Sequence, residues 1–236
     1  MFVWGGTAVA KKAKNAKNAK TAGRYAAKGP EAEFEPGSRG RVLRNLRGIR
    51  SVRELARAES RALLDAQERL VEMYSPGHRF TAADIREIHR VWLGTIYPWA
   101  GEYRGVNVAK GDFHFAAARE VPRLMDELER RQLAQYTPCH LAGEPEMAWA
   151  LAVVHAELIL IHPFREGNGR CARLLALLMA LQAGLPPLDF TGLTGSGGRR
   201  YIAAIHAAMA GDYAPMSALF SAVVRRSSGR FARRGR

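Results

Sequence analysis

The apolar residues of this chain gather in Leu-, Ala- and Met-rich stretches at helical spacing rather than in alternating Val/Thr/Tyr runs. That distribution favours helices over sheets and points to an all-α fold. With 236 residues and 47% hydrophobic content there is material for one substantial core. Ser51 and Glu54 have capping-box spacing, and Leu55, Ala62, Leu63, Ala66, Leu70 and Met73 follow on one helical face. Pro76-Gly77 breaks that helix, Thr81 with Asp84 opens the next, and Ile85, Ile88, Trp92 and Leu93 form its stripe up to Gly94. Further helices are expected over 118–134, 145–161, 168–183, 199–210 and 215–224, with Gly184 as a stop. Only Tyr97 to Phe115 departs from this pattern. There Arg104, Val106 and Val108 alternate with Gly105, Asn107 and Ala109 before a turn at Lys110-Gly111-Asp112, which reads as a short β-hairpin.

The formal net charge is +14, so its placement matters. Residues 1–40 carry +5, residues 41–50 carry +4 and residues 225–236 carry +6, which leaves residues 51–224 at −1. The middle therefore does not read as a nucleic-acid surface; the ends carry the charge for one, and a solubilising or linker segment is the plainer reading of them. Residues 1–40, with a Lys/Asn/Ala repeat and a Pro/Gly/Glu-rich stretch, and the tail 225–236 are expected to be mobile, flanking a catalytic unit over 41–224. Cys139 and Cys171 are the two cysteines, which excludes a disulfide framework and a thiolate zinc site. The start of the chain does not read as a secretory signal and no stretch reads as a membrane span. A cytoplasmic protein is expected, with export as an effector as the alternative.

Chemistry concentrates between two strongly apolar helices, in His162-Pro163-Phe164-Arg165-Glu166-Gly167-Asn168-Gly169-Arg170-Cys171-Ala172-Arg173. Gly167, Asn168 and Gly169 offer backbone amides at a helix N-terminus, a natural seat for phosphate. Arg170 and Arg173, three residues apart, emerge on one side of the first turn and can bind further phosphate oxygens. Glu166 suits a Mg²⁺ ion already bound by phosphates, and His162 can take a proton from an attacking hydroxyl. Taken singly, these residues would be a structural histidine, a turn and a solvated helix face. Together they are not.

The segment resembles the Fic-domain motif at every position, and Ile96 to Arg104 and Gly211 to Met216 resemble more loosely the family's approach to its hairpin and its closing helices. The resemblance implies a Fic-fold helical bundle with a hairpin flap over the site. It implies transfer of AMP from ATP to a Ser, Thr or Tyr hydroxyl of a target protein, with pyrophosphate leaving. It further implies His162 as the base, Glu166 on Mg²⁺, residues 167–169 as the anion hole, Arg170 on the β and γ phosphates, Arg173 on the γ-phosphate and Phe164 as a core anchor. Along Val106, Asn107, Val108, Ala109 and Lys110 the flap is expected to receive an extended target segment by strand addition. Tyr201 is a candidate adenine neighbour. The family's phosphotransferase branch has Lys where this chain keeps Gly169, which favours AMP transfer.

Many relatives are restrained by a Ser/Thr-x-x-x-Glu-Gly/Asn segment whose Glu pairs with the second motif arginine. No Glu here has Ser or Thr four positions earlier, and none follows Glu166. The expectation is a separate small antitoxin supplying that Glu to Arg173, or an unrestrained enzyme. Two alternatives stand beside AMP transfer: the same fold moving UMP, GMP or phosphocholine, and an inactive Fic-like core with nucleic-acid-binding tails. Among the other residues, His155 reads as core or as support for the site. Trp92, Trp99 and Trp149 read as core, Cys139-His140 as loop, and Arg104 and Lys110 as either ligand contacts or solvated charge.

Overall fold

The computed structural model describes residues 26–27, 33–111, 113–141, 143–193 and 198–234. Its organising element is α5 (Glu144–Ile161), which from Ala150 onward is apolar on nearly all sides and therefore buried on nearly all sides. Around it pack α3 (Val121–Leu128), α6 (Asn168–Gln182), α7 (Gly198–Met209) and α8 (Ala214–Arg234). On the far side of α6 lie α1 (Val52–Met73) and α2 (Ala82–Leu93), so the junction of α5 and α6 is walled by helices from both directions. Among the described residues, no helix is long and apolar enough to cross a membrane.

The helix starts follow their capping residues. Ser51 accepts from the Glu54 backbone N–H, and Thr81 and Asp84 form a full capping box at the start of α2. Ile85, Ile88, Trp92 and Leu93 are all buried, as their spacing predicts. Gly184, at φ +72°, takes the left-handed conformation that ends α6. The 118–134 stretch is less regular than its periodicity suggests. It comprises a 3₁₀ turn (Ala118–Glu120), α3, a π-helical turn (Glu129–Leu133) and α4 (Ala134–Tyr136). Glu129, in the π turn, accepts the Ala82 backbone N–H at 2.7 Å and so occupies the positive end of α2.

Two expectations about the ends need correction. The last helix does not stop at Val224 but continues to Arg234. Ser227 is buried there, its Oγ accepting the Asp189 N–H at 2.8 Å and donating to the Val223 carbonyl, while Arg226 donates to the Asp189 and Thr191 carbonyls. Arginine-rich composition concealed these anchors. Near the start, residues 33–40 are not loose: the Glu35 N–H donates to the Val42 carbonyl at 2.8 Å, Phe34 bridges to Leu43, and Ser38 is buried. Positive φ at Gly37, Arg39 and Gly40 lets the chain reverse so tightly. The other residues of 1–32 lie outside the described residues, apart from Ala26–Ala27. A smaller correction concerns Trp149, which is 39% exposed and meets Tyr213 edge-on rather than filling the core.

The hairpin is present, with β2 (Val108–Lys110) and β3 (Phe113–His114) antiparallel, Ala109 opposite His114 and Lys110 opposite Phe113. Asp112, expected in its turn, lies outside the described residues. The sheet has a third strand, β1 (Ala26–Ala27), antiparallel to β2 on its other edge.

Candidate active site

The apolar helix α5 ends at His162, whose backbone is left-handed at φ +54°. A non-glycine residue held there costs on the order of 1 kcal/mol, and the surroundings impose it. Its N–H donates to the Leu158 carbonyl at 3.0 Å, and its own carbonyl accepts Arg104 Nε at 2.7 Å. Arg104 is 2% exposed and also donates to the carbonyls of Val106, Ala116 and Ile161, while its N–H donates to the Pro163 carbonyl. The expectation of Arg104 as a ligand contact or solvated charge is thus corrected. It is a buried clamp joining the flap to the His162 turn.

The imidazole of His162 is buried, with Nδ1 facing the Ile159 carbonyl at 3.1 Å. A carbonyl accepts only, so Nδ1 carries the proton and the basic lone pair resides on Nε2. Burial pushes the pKa of His162 down to about 3, and the nearby charges of Arg104 and Lys110 push the same way. The ring is neutral at physiological pH, as a general base must be. Phe115, just past β3, stacks on it with centroids 3.6 Å apart. The flap therefore roofs the histidine.

From His162 the loop turns into α6 around Phe164, which is fully buried as its anchoring role requires. Its ring stacks on His89 of α2 at 3.9 Å and 15°. His89 accepts the Gly101 N–H on Nδ1 and donates from Nε2 to the Glu166 carbonyl, a neutral pattern matched by a pKa lowered to about 4 through burial. Asn168 closes the loop from inside: Oδ1 accepts the Phe164 N–H and Nδ2 donates to the Phe164 carbonyl, both at 2.8 Å. Its side chain staples the loop, so any contribution to an anion hole comes from its backbone. Gly167 has φ +85°, and a methyl group there would lie 2.7 Å from the Trp92 ring. At Gly169 an added methyl meets only Arg173 Nη1, at 3.7 Å.

At the start of α6 the N–H groups of Asn168 and Gly169 precede the first bonds of the helix, which Arg170 and Cys171 make to the Gly167 carbonyl, and mark an electropositive end. Beside it, Glu166 Oε1 accepts the Gly167 N–H at 3.1 Å and lies 3.6 Å from Arg170 Nη2. Arg170 Nη1 forms a 2.7 Å ion pair with Glu59 of α1, and the guanidinium lies over the Trp92 ring at 4.5 Å. Glu59 is itself held: its Oε1 accepts the Tyr97 hydroxyl at 2.6 Å, and its backbone carbonyl accepts Trp92 Nε1. Tyr97 and Glu59 thus fix one edge of Arg170, leaving the other toward Glu166.

His162, Glu166, Gly167, Asn168, Gly169 and Arg170 come together around one turn and one helix start. Arg173 lies a turn further along α6, near enough to His155 of α5 for its charge to lower that ring's pKa. Tyr201 donates or accepts a 2.8 Å bond with His155 Nε2, so its hydroxyl is held by a buried residue of α5. On the flap, Val106 and Val108 are buried, Lys110 is exposed, and Asn107 Oδ1 accepts the Ala118 N–H at 2.8 Å. The outer edge of β2, expected to receive a target strand, is paired with Ala26–Ala27. Glu59, His89 and Phe115 were missed. The first two sit on the apolar stripes of their helices, four residues from Leu55 and Ile85, and a charged or polar residue on a buried face was the signal.

Residues 79–180 match the Fic/DOC family model. The chain is 32% identical over 181 residues to the probable protein adenylyltransferase y4lH of Sinorhizobium fredii, covering 75% of this chain and 88% of that one. It is 32% identical over 149 residues to the protein adenylyltransferase VbhT of Bartonella schoenbuchensis, covering 61% of this chain. It spans 30% of VbhT and 24% of the protein adenylyltransferase Fic of Nematostella vectensis. Among solved structures, the Bartonella tribocorum BepC protein with bound AMPPNP superposes with a TM-score of 0.63 at 26% identity, covering 77% of this chain and 91% of that one.

Proposed function

Because the chain belongs to the Fic/DOC family, we propose that it transfers AMP from ATP to a hydroxyl of a target protein, with release of pyrophosphate. The observation that carries this reading is the placement of the His162 ring, its Nδ1 held by the Ile159 carbonyl so that Nε2 is the basic nitrogen, at the helix start that also presents Gly169 and Arg170. In this reading His162 Nε2 takes the proton from the attacking hydroxyl. The backbone at 167–169 and the Arg170 guanidinium hold phosphate oxygens, Arg173 binds the γ-phosphate, and the site works by positioning and charge stabilisation. Phe115 keeps water from the histidine.

The residues fit a Mg²⁺ ion that arrives with phosphates. Among the described residues there is no cluster of three acids, histidines or cysteines to hold a metal, and Glu166 is the carboxylate at the helix start. When bound, such an ion neutralises phosphate charge at the reacting centre. Residues 106–110 would guide an extended target segment that takes the place of Ala26–Ala27 on β2, and Tyr201 would border the adenine. A separate small antitoxin would restrain the enzyme by offering a Glu to Arg173. The catalytic unit is assigned to 41–224 together with the packed flanks at 33–40 and 225–234, acting in the cytoplasm or after export.

ATP labelled on the α-phosphorus, compared with ATP labelled on the γ-phosphorus, tests the direction of transfer. Label from the α position alone should become protein-bound. Transfer of the γ label would mean phosphorylation and would overturn the reading.

A further inference from the structure

Arg170 stands between two carboxylates at unequal distances. Its Nη1 lies 2.7 Å from Glu59 Oε2, a charge-assisted hydrogen bond, whereas its Nη2 lies 3.6 Å from Glu166 Oε1, beyond bonding distance. Both oxygens of Glu59 are committed, Oε1 to the Tyr97 hydroxyl at 2.6 Å and Oε2 to Arg170. Glu59 is also buried, with Trp92 Nε1 donating to its backbone carbonyl, so the carboxylate is fixed in place and the guanidinium is fixed with it. The Trp92 ring, 4.5 Å away, covers one face of that guanidinium. Glu166 is placed differently. It accepts the Gly167 N–H at 3.1 Å, and since a carboxylate offers about four lone-pair sites, most of its acceptor capacity is left for a cation.

We infer that Glu59 is a positioning residue that sets the site's affinity for a divalent cation: by holding Arg170 it keeps the Glu166 carboxylate available to the ion. This inference rests on the reading of Glu166 as the cation's carboxylate in the proposed function. A carboxylate bonded to arginine has given up lone pairs and charge that a hard cation requires. Without the charge of Glu59, the carboxylate nearest to Arg170 is Glu166, four residues before it, and closing that pair takes the carboxylate away from the ion. Loss of the Glu59 charge therefore acts oppositely on two affinities. It removes a negative charge beside the phosphate site, which favours nucleotide without metal, and it weakens the help that the cation gives to nucleotide binding. Damage to packing would instead weaken both kinds of binding together.

The ATP analogue α,β-methylene ATP, in which carbon replaces the oxygen between the α and β phosphorus atoms, separates binding from transfer. Its affinity for the full chain is measured by calorimetry in EDTA and in saturating Mg²⁺, and the ratio of the two is the gain from the cation. Glu59→Gln should lower that gain at least about tenfold while the affinity in EDTA stays equal or rises. Tyr97→Phe keeps the carboxylate but releases it from its hydroxyl partner, and should lower the gain about threefold. In a Glu166→Gln background, adding Glu59→Gln should change the gain by less than about twofold, because the carboxylate that it protects is gone. An unchanged gain in either single variant, an affinity in EDTA that falls in Glu59→Gln, or losses that multiply in the double variant would each overturn the inference. No gain from Mg²⁺ in the parent would overturn it together with the metal role of Glu166, and would leave AMP transfer to the α-label experiment. Failure of the analogue to bind the parent in either solution would defeat the nucleotide reading as well.

Discussion

Gly167 and Gly169 stand two residues apart, yet a methyl group added at each meets different surroundings. At 167 it would press on Trp92 from a left-handed backbone, whereas at 169 it has room. Gly167→Ala should therefore lower stability by about 1–3 kcal/mol, seen as a drop in Tm. Gly169→Ala should leave stability within about 0.5 kcal/mol of the parent while weakening ATP binding, if the proposed phosphate contact at 167–169 uses that space. Equal loss of Tm in both variants would contradict this division. Glu59 offers a second test at this scale. Glu59→Gln leaves Glu166, at 3.6 Å, as the remaining carboxylate beside Arg170, and a loss of about 1–3 kcal/mol is expected in a denaturant titration, together with a raised KM for ATP. The motif itself was legible residue by residue, since each group is recognisable by its own chemistry. Glu59 was not, because its partner is 111 residues away and only the fold brings them together.

At the scale of elements, the flap is fastened to the catalytic turn by one guanidinium. Arg104 donates to carbonyls on both sides, so Arg104→Leu leaves several buried acceptors unpaired. The variant should lose more than about 2 kcal/mol and show faster amide hydrogen exchange across 106–116 than across α1. Unchanged exchange in the flap would refute the clamp. Capping residues and apolar spacing announced α1, α2, α5 and α6 almost to the residue. They misjudged α8, where Ser227 and Arg226 bond to the 189–191 loop, contacts between elements that a local pattern does not carry. They also misjudged 33–40, whose order comes from pairing with residues 42 and 43.

For the whole molecule, the relevant inventory is of buried neutral histidines. His89 is lowered to about 4, and His155 and His162 to about 3, all by burial. In the unfolded chain each takes up a proton near pH 6.5, so the unfolded state binds more protons between that value and the folded pKa. Stability present above about pH 6.5 is therefore lost progressively as pH falls toward 4 and below. Tm measured from pH 7.5 to 4 should decline across that window, and a flat profile would contradict the neutral, buried assignment. The helical class and the near-neutral middle of the chain were legible from composition, but the convergence of three histidines on one core was not.

Transfer by His162 acting as base is tested most directly by comparing the parent with His162→Ala. AMP transfer from α-labelled ATP and nucleotide affinity are measured on the same preparations. Loss of transfer by at least about a hundredfold, with ATP affinity retained, is the expected result. Transfer that persists in the variant at the parent's rate would contradict it.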